Sequence, residues 1–189
     1  NKIIILNAIT KEKIDETIVD VKFSGASWLG DEGFYYSSYD KPKGSELSAK
    51  TDMHKVYFHK LGTKQSQDKL IVGGENFKRR YMGIGVSDDE RFEILSASDA
   101  TSGNELYIKD LKKKTDFVPV QKGYDFNTDF IDSKGDFIYA LTDKNAPNMR
   151  LIKFNINQPD VWIDVIPQTE NVLSVSTGGG YIFAKYMKD

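Results

Sequence analysis

The two histidines are the residues of this sequence with the widest chemical use, because histidine is the commonest general base and metal ligand. His59 shares a predicted strand with Tyr57 and Leu61 and so faces one side of a sheet. This favours a surface or hydrogen-bonded structural histidine over a catalytic one. His54 ends a long polar loop, Asp40 to His54, which predicts a mobile side chain.

Paired acidic residues and a glycine run are the next candidates. Asp31-Glu32 and Asp88-Asp89 fall in predicted hairpin turns, where Asp favours turn geometry through its own backbone hydrogen bonds. They are weak candidates for acid–base catalysis or calcium binding. Gly178-Gly179-Gly180 could surround an anion, but a β-turn between two strands is the favoured interpretation.

Nucleophile and cofactor motifs are missing. The sequence has no cysteine, which excludes disulfides, thiolate zinc sites, iron–sulfur clusters and a cysteine nucleophile. No serine lies in a G-x-S-x-G elbow, and Gly83-Ile84-Gly85 lacks the third glycine of a dinucleotide-binding turn. We therefore expect no catalytic residue, no metal and no cofactor in this chain.

Charge and hydropathy exclude two classes of partner. The 189 residues carry 26 Lys and Arg against 28 Asp and Glu, a net charge of -2, which argues against nucleic-acid binding. The longest apolar run, Ile3 to Leu6, is far shorter than the roughly 20 residues of a membrane helix. The start at Asn1 lacks a basic-then-apolar leader, and the compartment, cytoplasmic or periplasmic, stays open.

The elements that would position these residues are short strands, since helical periodicity is nearly absent. A polar turn followed by an aromatic strand occurs four times, and the matching residues lie 58, 45 and 46 apart. These are Phe34, Phe92, Phe137 and Phe183. The polar insertion Asp40 to His54 explains the long first interval. A period of about 45 residues with four strands each is typical of a β-propeller blade.

We therefore predict an all-β partial propeller with three full four-stranded blades and a half-blade at each end; a generic β-sandwich is the alternative. The half-blades could pair and close a small ring, or the chain could be an arc whose exposed strand edges promote self-association. The predicted boundaries are 1–20 (end of a preceding blade), 21–75, 79–120, 124–166 and 170–189 (start of a following blade). The first strands of the three full blades are predicted at Val21–Ser27, Tyr81–Val86 and Tyr124–Ile131.

Two long stretches carry a specific resemblance. The segment from Asp20 to Ile71, with its HKLGT run after the long loop, and the segment from Arg79 to Leu111, RRYMGIGVSDDERFEILSASDATSGNELYIKDL, resemble the propeller of the prolyl oligopeptidase (prolyl endopeptidase) family. The later stretch Asn145 to Leu151 also fits. The related oligopeptidase B group shares a similar run and stays open as a sibling.

The resemblance implies a fragment of the N-terminal β-propeller of a serine endopeptidase. Family members pair a seven-bladed propeller with an α/β-hydrolase domain, which holds the Ser, Asp and His triad and cuts short peptides after proline. The propeller covers the active site and filters substrates. The family's Gly-Gly-Ser-Asn-Gly-Gly motif has no match here, so the hydrolase domain is absent and this chain alone should be inactive. Its expected partners are that domain and short proline-containing peptides.

The resemblance also implies two substrate-binding residues. By motif position, Phe23 in Lys22-Phe23-Ser24 and Met82 in Tyr81-Met82-Gly83 match apolar walls of a non-proline subsite. The alternative is that both are core residues of first strands. An arginine that family members often carry after strand two has no match in Ser98 to Thr101. A self-contained propeller that binds a protein or glycan through the Asp40–His54 loop is the other functional hypothesis.

Overall fold

The computed structural model describes residues 1–39 and 53–187. The predicted insertion at 40–54 lies outside these residues except for Met53 and His54. The described residues form sixteen β-strands and two short 3-10 helices, with no α-helix among them, so the all-β prediction is confirmed. The chain divides into two compact units, Asn1–Val86 and Ser87–Asp189.

The described part of the first unit, residues 1–39 and 53–86, contains seven strands. β1 and β2 form a two-stranded antiparallel sheet, and β3 to β6 form a four-stranded antiparallel sheet in chain order. β7 ends the unit and packs against β3, β4 and β5. The bounds are β1 Lys2–Leu6, β2 Lys13–Val19, β3 Ser27–Leu29, β4 Gly33–Tyr39, β5 His54–Lys60, β6 Lys69–Gly73 and β7 Tyr81–Val86, with 3-10 helices at Gln65–Gln67 and Gly74–Asn76.

The second unit contains nine strands. β8, β9 and β10 are antiparallel neighbours in that order, β11 to β14 form a four-stranded sheet, and β15 pairs with β16. The bounds are β8 Phe92–Ser98, β9 Glu105–Asp110, β10 Val118–Gln121, β11 Thr128–Lys134, β12 Phe137–Thr142, β13 Arg150–Asn155, β14 Gln158–Ile166, β15 Val172–Gly178 and β16 Tyr181–Met187.

The core of each unit lies between the faces of neighbouring sheets. In the first unit, Phe34 and Tyr36 project from one face of β4 because side chains alternate along a strand. They pack with Ile5 of β1, Ile18 of β2 and Val21, all buried. The two-stranded sheet therefore covers one face of the four-stranded sheet.

The second unit repeats this arrangement on a larger scale. Each of four strands contributes two buried apolar residues at i and i+2, so each strand presents one apolar face to the cluster. The pairs are Phe92 and Ile94 of β8, Leu106 and Ile108 of β9, Ile138 and Ala140 of β12, and Ile152 and Phe154 of β13. The alternation that predicted strands is thus the pattern that builds the core.

An arginine links two sheets at the edge of this core. Arg91, just before β8, donates to Asp110 at the end of β9 with Nε–Oδ2 and Nη2–Oδ2 distances of 3.2 and 2.7 Å. It also donates to the Gly135 carbonyl and to Asp136, in the turn between β11 and β12. Burial alone would raise the pKa of Asp110, but the guanidinium holds this pKa below its ordinary value.

Buried amide and hydroxyl side chains also join the sheet of β8–β10 to the sheet of β11–β14. They explain why the predicted start of β11 is wrong. Gln121 donates to the Phe126 carbonyl at 2.7 Å, and Asn104 accepts the Thr128 N–H at 2.7 Å. Side chains thus satisfy backbone groups that a strand ladder would otherwise pair. The first strand of this sheet therefore begins at Thr128, whereas the sequence predicted Tyr124.

The first unit has its own buried ionic cluster, centred on His59. Its Nδ1 lies 2.7 Å from Asp68 and its Nε2 lies 3.0 Å from Glu16 of β2. Tyr36 donates to the other oxygen of Asp68, and the Gly62 N–H donates to Glu16. His59 is 1% exposed, so the expectation of a hydrogen-bonded structural histidine is confirmed.

The predicted first strand Val21–Ser27 is wrong. Val21 makes only an isolated bridge to Ser38, Phe23 has a φ of 50°, and β3 is the short segment Ser27–Leu29. The Ser24 hydroxyl takes the place of a ladder bond, because it accepts the Ser37 N–H at 2.7 Å. Residues 22–26 therefore form an irregular segment that bends at Phe23, called the Phe23 turn below.

The other strand predictions agree better. β7 coincides with the predicted first strand Tyr81–Val86. The four repeated aromatic residues all lie in strands as predicted: Phe34 in β4, Phe92 in β8, Phe137 in β12 and Phe183 in β16. The glycine run forms the predicted turn between β15 and β16, where Gly179 and Gly180 have φ values of 57° and 78°. Two consecutive positive φ values characterise a type I′ hairpin turn, which favours glycine.

The His59 cluster predicts a pH-dependent stability. Burial alone would lower the pKa of His59, but its bonds to Glu16 and Asp68 outweigh burial and raise this pKa above its ordinary value. Because the folded pKa exceeds the unfolded one, the stabilisation is fully present below about pH 6.5 and is lost as pH rises through the folded pKa. Urea midpoints of the protein between pH 6 and 9 should fall, and His59→Gln should flatten this dependence. An equal slope in the variant would refute the assignment.

Candidate functional site

The Phe23 turn lines a cavity in the first unit. Phe23 is 58% exposed, and its ring packs edge-on against Tyr81 of β7 with centroids 5.1 Å apart. An exposed apolar ring held by a neighbouring ring costs little entropy to order when a ligand binds. Of the two residues predicted to bind substrate, Phe23 is thus the accessible one.

Met82 is placed differently. It lies in β7 and is 3% exposed, as part of an alternation in which Met82 and Ile84 are buried. A Cβ built at Gly73 would lie 2.7 Å from the Met82 Cε atom, so its methyl group packs tightly against β6. This burial favours the core alternative for Met82, while its contact with substrate stays a prediction.

His54 connects the residue before Phe23 to Met82. Its Nε2 donates to the Lys22 carbonyl at 2.9 Å, and its Nδ1 accepts the Met82 N–H at 2.9 Å. An acceptor at Nδ1 fixes the neutral tautomer with the proton on Nε2. Burial lowers the pKa of His54, which keeps the ring neutral. His54 is 0% exposed, so the prediction of a mobile side chain is wrong.

Ser37 of β4 makes a second connection between the same elements. Its hydroxyl donates to the Met82 carbonyl at 2.7 Å, and its N–H donates to the Ser24 hydroxyl at 2.7 Å. The backbone of Met82 is therefore bonded on both its N–H and its C=O by buried side chains. Since each bond has a preferred direction, the Phe23 turn and β7 are held in one geometry.

A cavity of about 170 Å³ lies between these elements. Its walls are residues 23–27, residues 35–37 of β4, and Gly83 and Ile84 of β7, with more apolar than polar lining. This volume matches one side chain of a peptide better than a whole drug-sized ligand, which needs roughly 300 Å³ or more. Phe23 forms one rim, whereas Met82 is not part of the lining.

Cations surround the aromatic rim. The Lys22 ammonium lies 5.4 Å from the Phe23 ring centroid and 4.6 Å from that of Tyr39, and the Arg80 guanidinium lies 5.3 Å from the Tyr81 ring. These contacts are cation–π interactions. They help to hold the rings in place.

Chemistry other than binding has little support in the described residues. No group of three or more His, Asp or Glu side chains in 1–39 and 53–187 is arranged to hold a metal ion. Among the same residues, no helix has the length and hydropathy to cross a membrane. Asp89 accepts from Ser87 and from the Arg91 N–H, as expected of a turn residue.

The comparisons with known proteins cover the whole chain. The family described as "Prolyl oligopeptidase, N-terminal beta-propeller domain" matches residues 1–189. The chain is 64% identical over 192 aligned residues to a prolyl endopeptidase of Elizabethkingia meningoseptica, and 62% identical to one of Elizabethkingia miricola. In both cases the alignment covers 100% of this chain and 27% of the relative.

The chain belongs to the prolyl oligopeptidase family. The matching part is the N-terminal β-propeller domain, so the propeller prediction is confirmed over the sandwich alternative. A solved chain from a study of two prolyl endopeptidases superimposes with a TM-score of 0.87 at 23% identity, over all of this chain and 27% of that one. Identity above 60% to prolyl endopeptidases also favours this group over oligopeptidase B.

The close packing at Gly73 of this prolyl oligopeptidase propeller predicts the effect of a single methyl group. In Gly73→Ala, the Cβ would lie 2.3 Å from the His54 carbonyl and 2.7 Å from Met82 Cε, at a φ of 114°. Gly62→Ala is the matched control, because Gly62 also has a positive φ, 77°, but no atom within 4 Å. We expect Gly73→Ala to lower the free energy of unfolding by about 2 kcal/mol more than Gly62→Ala, measured by urea denaturation. Equal losses would contradict the packing.

Proposed function

We propose that this chain is part of the propeller that filters substrates in a prolyl endopeptidase. The observation that carries the proposal is the 64% identity across the whole chain to an enzyme of that name. The chain spans about a quarter of the length of such relatives. In this proposal, cleavage of short peptides after proline is carried out by an α/β-hydrolase domain with a Ser, Asp and His triad, encoded outside these 189 residues.

The filter acts by exclusion and by selective contact. Residues 21–75, 79–120 and 124–166 serve as blades of a seven-bladed ring, and residues 1–20 and 170–189 belong to the adjoining blades. Such a ring above the catalytic domain admits a short, flexible peptide and excludes a folded protein. The space enclosed between the ring and the catalytic domain is poor in water, which strengthens the electrostatic interactions of the reacting groups there.

Phe23 provides the selective contact in this proposal. Its ring is 58% exposed at the rim of the 170 Å³ cavity, so an apolar peptide side chain that enters would bury both surfaces. Met82 supports this wall from behind, through its place in β7. A side chain of a residue other than the proline would occupy the cavity.

Removal of the Phe23 ring tests this function. In the full-length enzyme, Phe23→Ala should lower kcat/KM about tenfold for proline peptides that carry a large apolar residue several positions before the proline, since apolar contact is lost. It should not lower kcat/KM for a minimal proline amide that is too short to reach the propeller. Steady-state kinetics on both substrates measure the difference.

Phe137→Ala is the control, because Phe137 is a 40% exposed phenylalanine of the second unit that does not line this cavity. It should leave both kcat/KM values within about twofold of the unchanged enzyme. If Phe23→Ala and Phe137→Ala behave alike on the long peptide, Phe23 does not contact the substrate and the proposal fails.

The isolated chain is also proposed to self-associate through its two-stranded sheets. Tyr181, Phe183 and Met187 of β16 are 71%, 57% and 67% exposed, and Ile4 and Leu6 of β1 are each 55% exposed. Apolar, accessible strands pair readily with other copies. The sedimentation coefficient should therefore rise with protein concentration, and Phe183→Lys should weaken this rise. A constant coefficient over a hundredfold concentration range (roughly micromolar to 100 micromolar) would rule out association.

A further inference from the structure

We propose that His54 is a positioning residue for peptide selectivity: its neutral imidazole ties the Phe23 turn to β7 and thereby sets the distance between the two walls of the cavity. This inference rests on the proposed function of Phe23. It concerns a residue that touches no substrate itself and acts through the Lys22 carbonyl and the Met82 N–H.

The first support is that both ring nitrogens are used between two separate walls. Lys22, which accepts from Nε2, immediately precedes the Phe23 rim, and Met82, which donates to Nδ1, immediately precedes Gly83 and Ile84 in the opposite wall. The imidazole is rigid, so two bonds from one ring fix the spacing of the segments that it joins. Few other side chains can donate and accept at this separation.

The second support is that His54 itself is fixed. Its N–H donates to the Arg79 carbonyl at 3.0 Å, and it lies opposite Tyr39 in the β4–β5 register. The carbonyl of His54 lies close to Gly73, where any added Cβ would approach to 2.3 Å. The backbone of His54 is therefore anchored to the sheet, which limits how far its ring can follow a shift of the Phe23 turn.

The third support is that the alternative bonds are too few to keep the geometry. The Lys22 N–H to Ser37 carbonyl distance is 3.4 Å, a long hydrogen bond, and the Ser37–Ser24 bond holds the turn one residue beyond Phe23. Without His54, the Lys22 carbonyl and the Met82 N–H would each lose this buried partner. The turn would keep the Ser37 connection and the Phe23–Tyr81 ring contact but would lose its tie at Lys22, so the spacing of the cavity walls would be less narrowly set.

The connection between the Phe23 turn and β7 also depends on the charge state of His54. If the ring were protonated, its Nδ1–H would point at the Met82 N–H and that bond would be lost. Burial lowers the pKa of His54, the backbone bonds oppose this effect, and the Lys22 ammonium adds to it. The elements around the ring carry further titratable residues: Tyr35, Tyr36 and Tyr39 on β4, Lys55, Tyr57, His59 and Lys60 on β5, Lys69 on β6, Lys78, Arg79 and Arg80 before β7, and Tyr81 on β7. Low pH is therefore expected to loosen the cavity.

The experiment uses the full-length enzyme and three substrates: a peptide with phenylalanine several residues before the cleaved proline, the same peptide with alanine there, and a minimal proline amide. His54→Leu removes both bonds at similar volume. It should reduce the phenylalanine-to-alanine ratio of kcat/KM about fivefold through KM, as expected for the loss of a hydrogen bond. Its kcat on the minimal amide should stay within about twofold.

Two further variants separate positioning from general destabilisation. His54→Gln keeps one donor and one acceptor and should restore most of the ratio. His59→Gln alters the other buried histidine of β5, whose partners are Glu16 and Asp68, and should leave the ratio unchanged. In the unmodified enzyme the ratio should fall as pH falls through the His54 pKa, whereas in His54→Gln it should not. This pH comparison decides the matter if His54→Leu does not fold.

The outcomes distinguish the two proposals. If Phe23→Ala lowers the ratio but His54→Leu does not, the proposed function stands and the inference about His54 is wrong. If Phe23→Ala leaves the ratio unchanged, the proposed function itself fails. An equal loss in His54→Leu and His59→Gln would show that stability, and not the spacing of the walls, controls selectivity.

Discussion

The structure depends on one constraint: a β-sheet with an apolar face must cover that face with another sheet, and every polar group caught between them needs a partner. Phe34 and Phe154 are completely buried at such faces, one in each unit. Three polar groups buried at the margins show how such partners are supplied across sheets or turns. His59 lies between two carboxylates, Arg91 reaches two aspartates, and Thr128 is bonded by Asn104 and Gln121.

The two histidines show how the partners decide the chemistry of a side chain. His54 and His59 lie five residues apart on β5, an odd spacing that places them on opposite faces of the strand. One meets a backbone N–H and a carbonyl, which require a neutral ring. The other meets two carboxylates, which favour the charged ring and raise its pKa. The same residue type thus serves a precise backbone connection and an ionic link between sheets.

These connections relate the fold to the proposed function. In that proposal, this propeller segment needs no catalytic residue of its own, but it must hold a peptide-contacting surface on a segment that is neither strand nor helix. In this proposal the Phe23 turn provides that surface: Phe23 has a positive φ, the Lys22 carbonyl accepts from the His54 ring, and the Ser24 hydroxyl accepts the Ser37 N–H. The rigid sheets supply the positions from which those side chains act, so selectivity can reside in a turn.

The sequence by itself determined most of the strands, their fourfold rhythm and the glycine turn at residues 178–180, because alternation and turn chemistry are local properties. It also determined the family. Only the tertiary structure decided that residues 22–26 turn away from the sheet, that His54 is buried and neutral, and that Phe23 is exposed whereas Met82 is not. The bonds responsible join residues 28 to 45 positions apart, such as Met82 to His54 and to Ser37. Contacts of that separation leave no pattern in neighbouring residues, since they form only when strands from distant parts of the chain pack together.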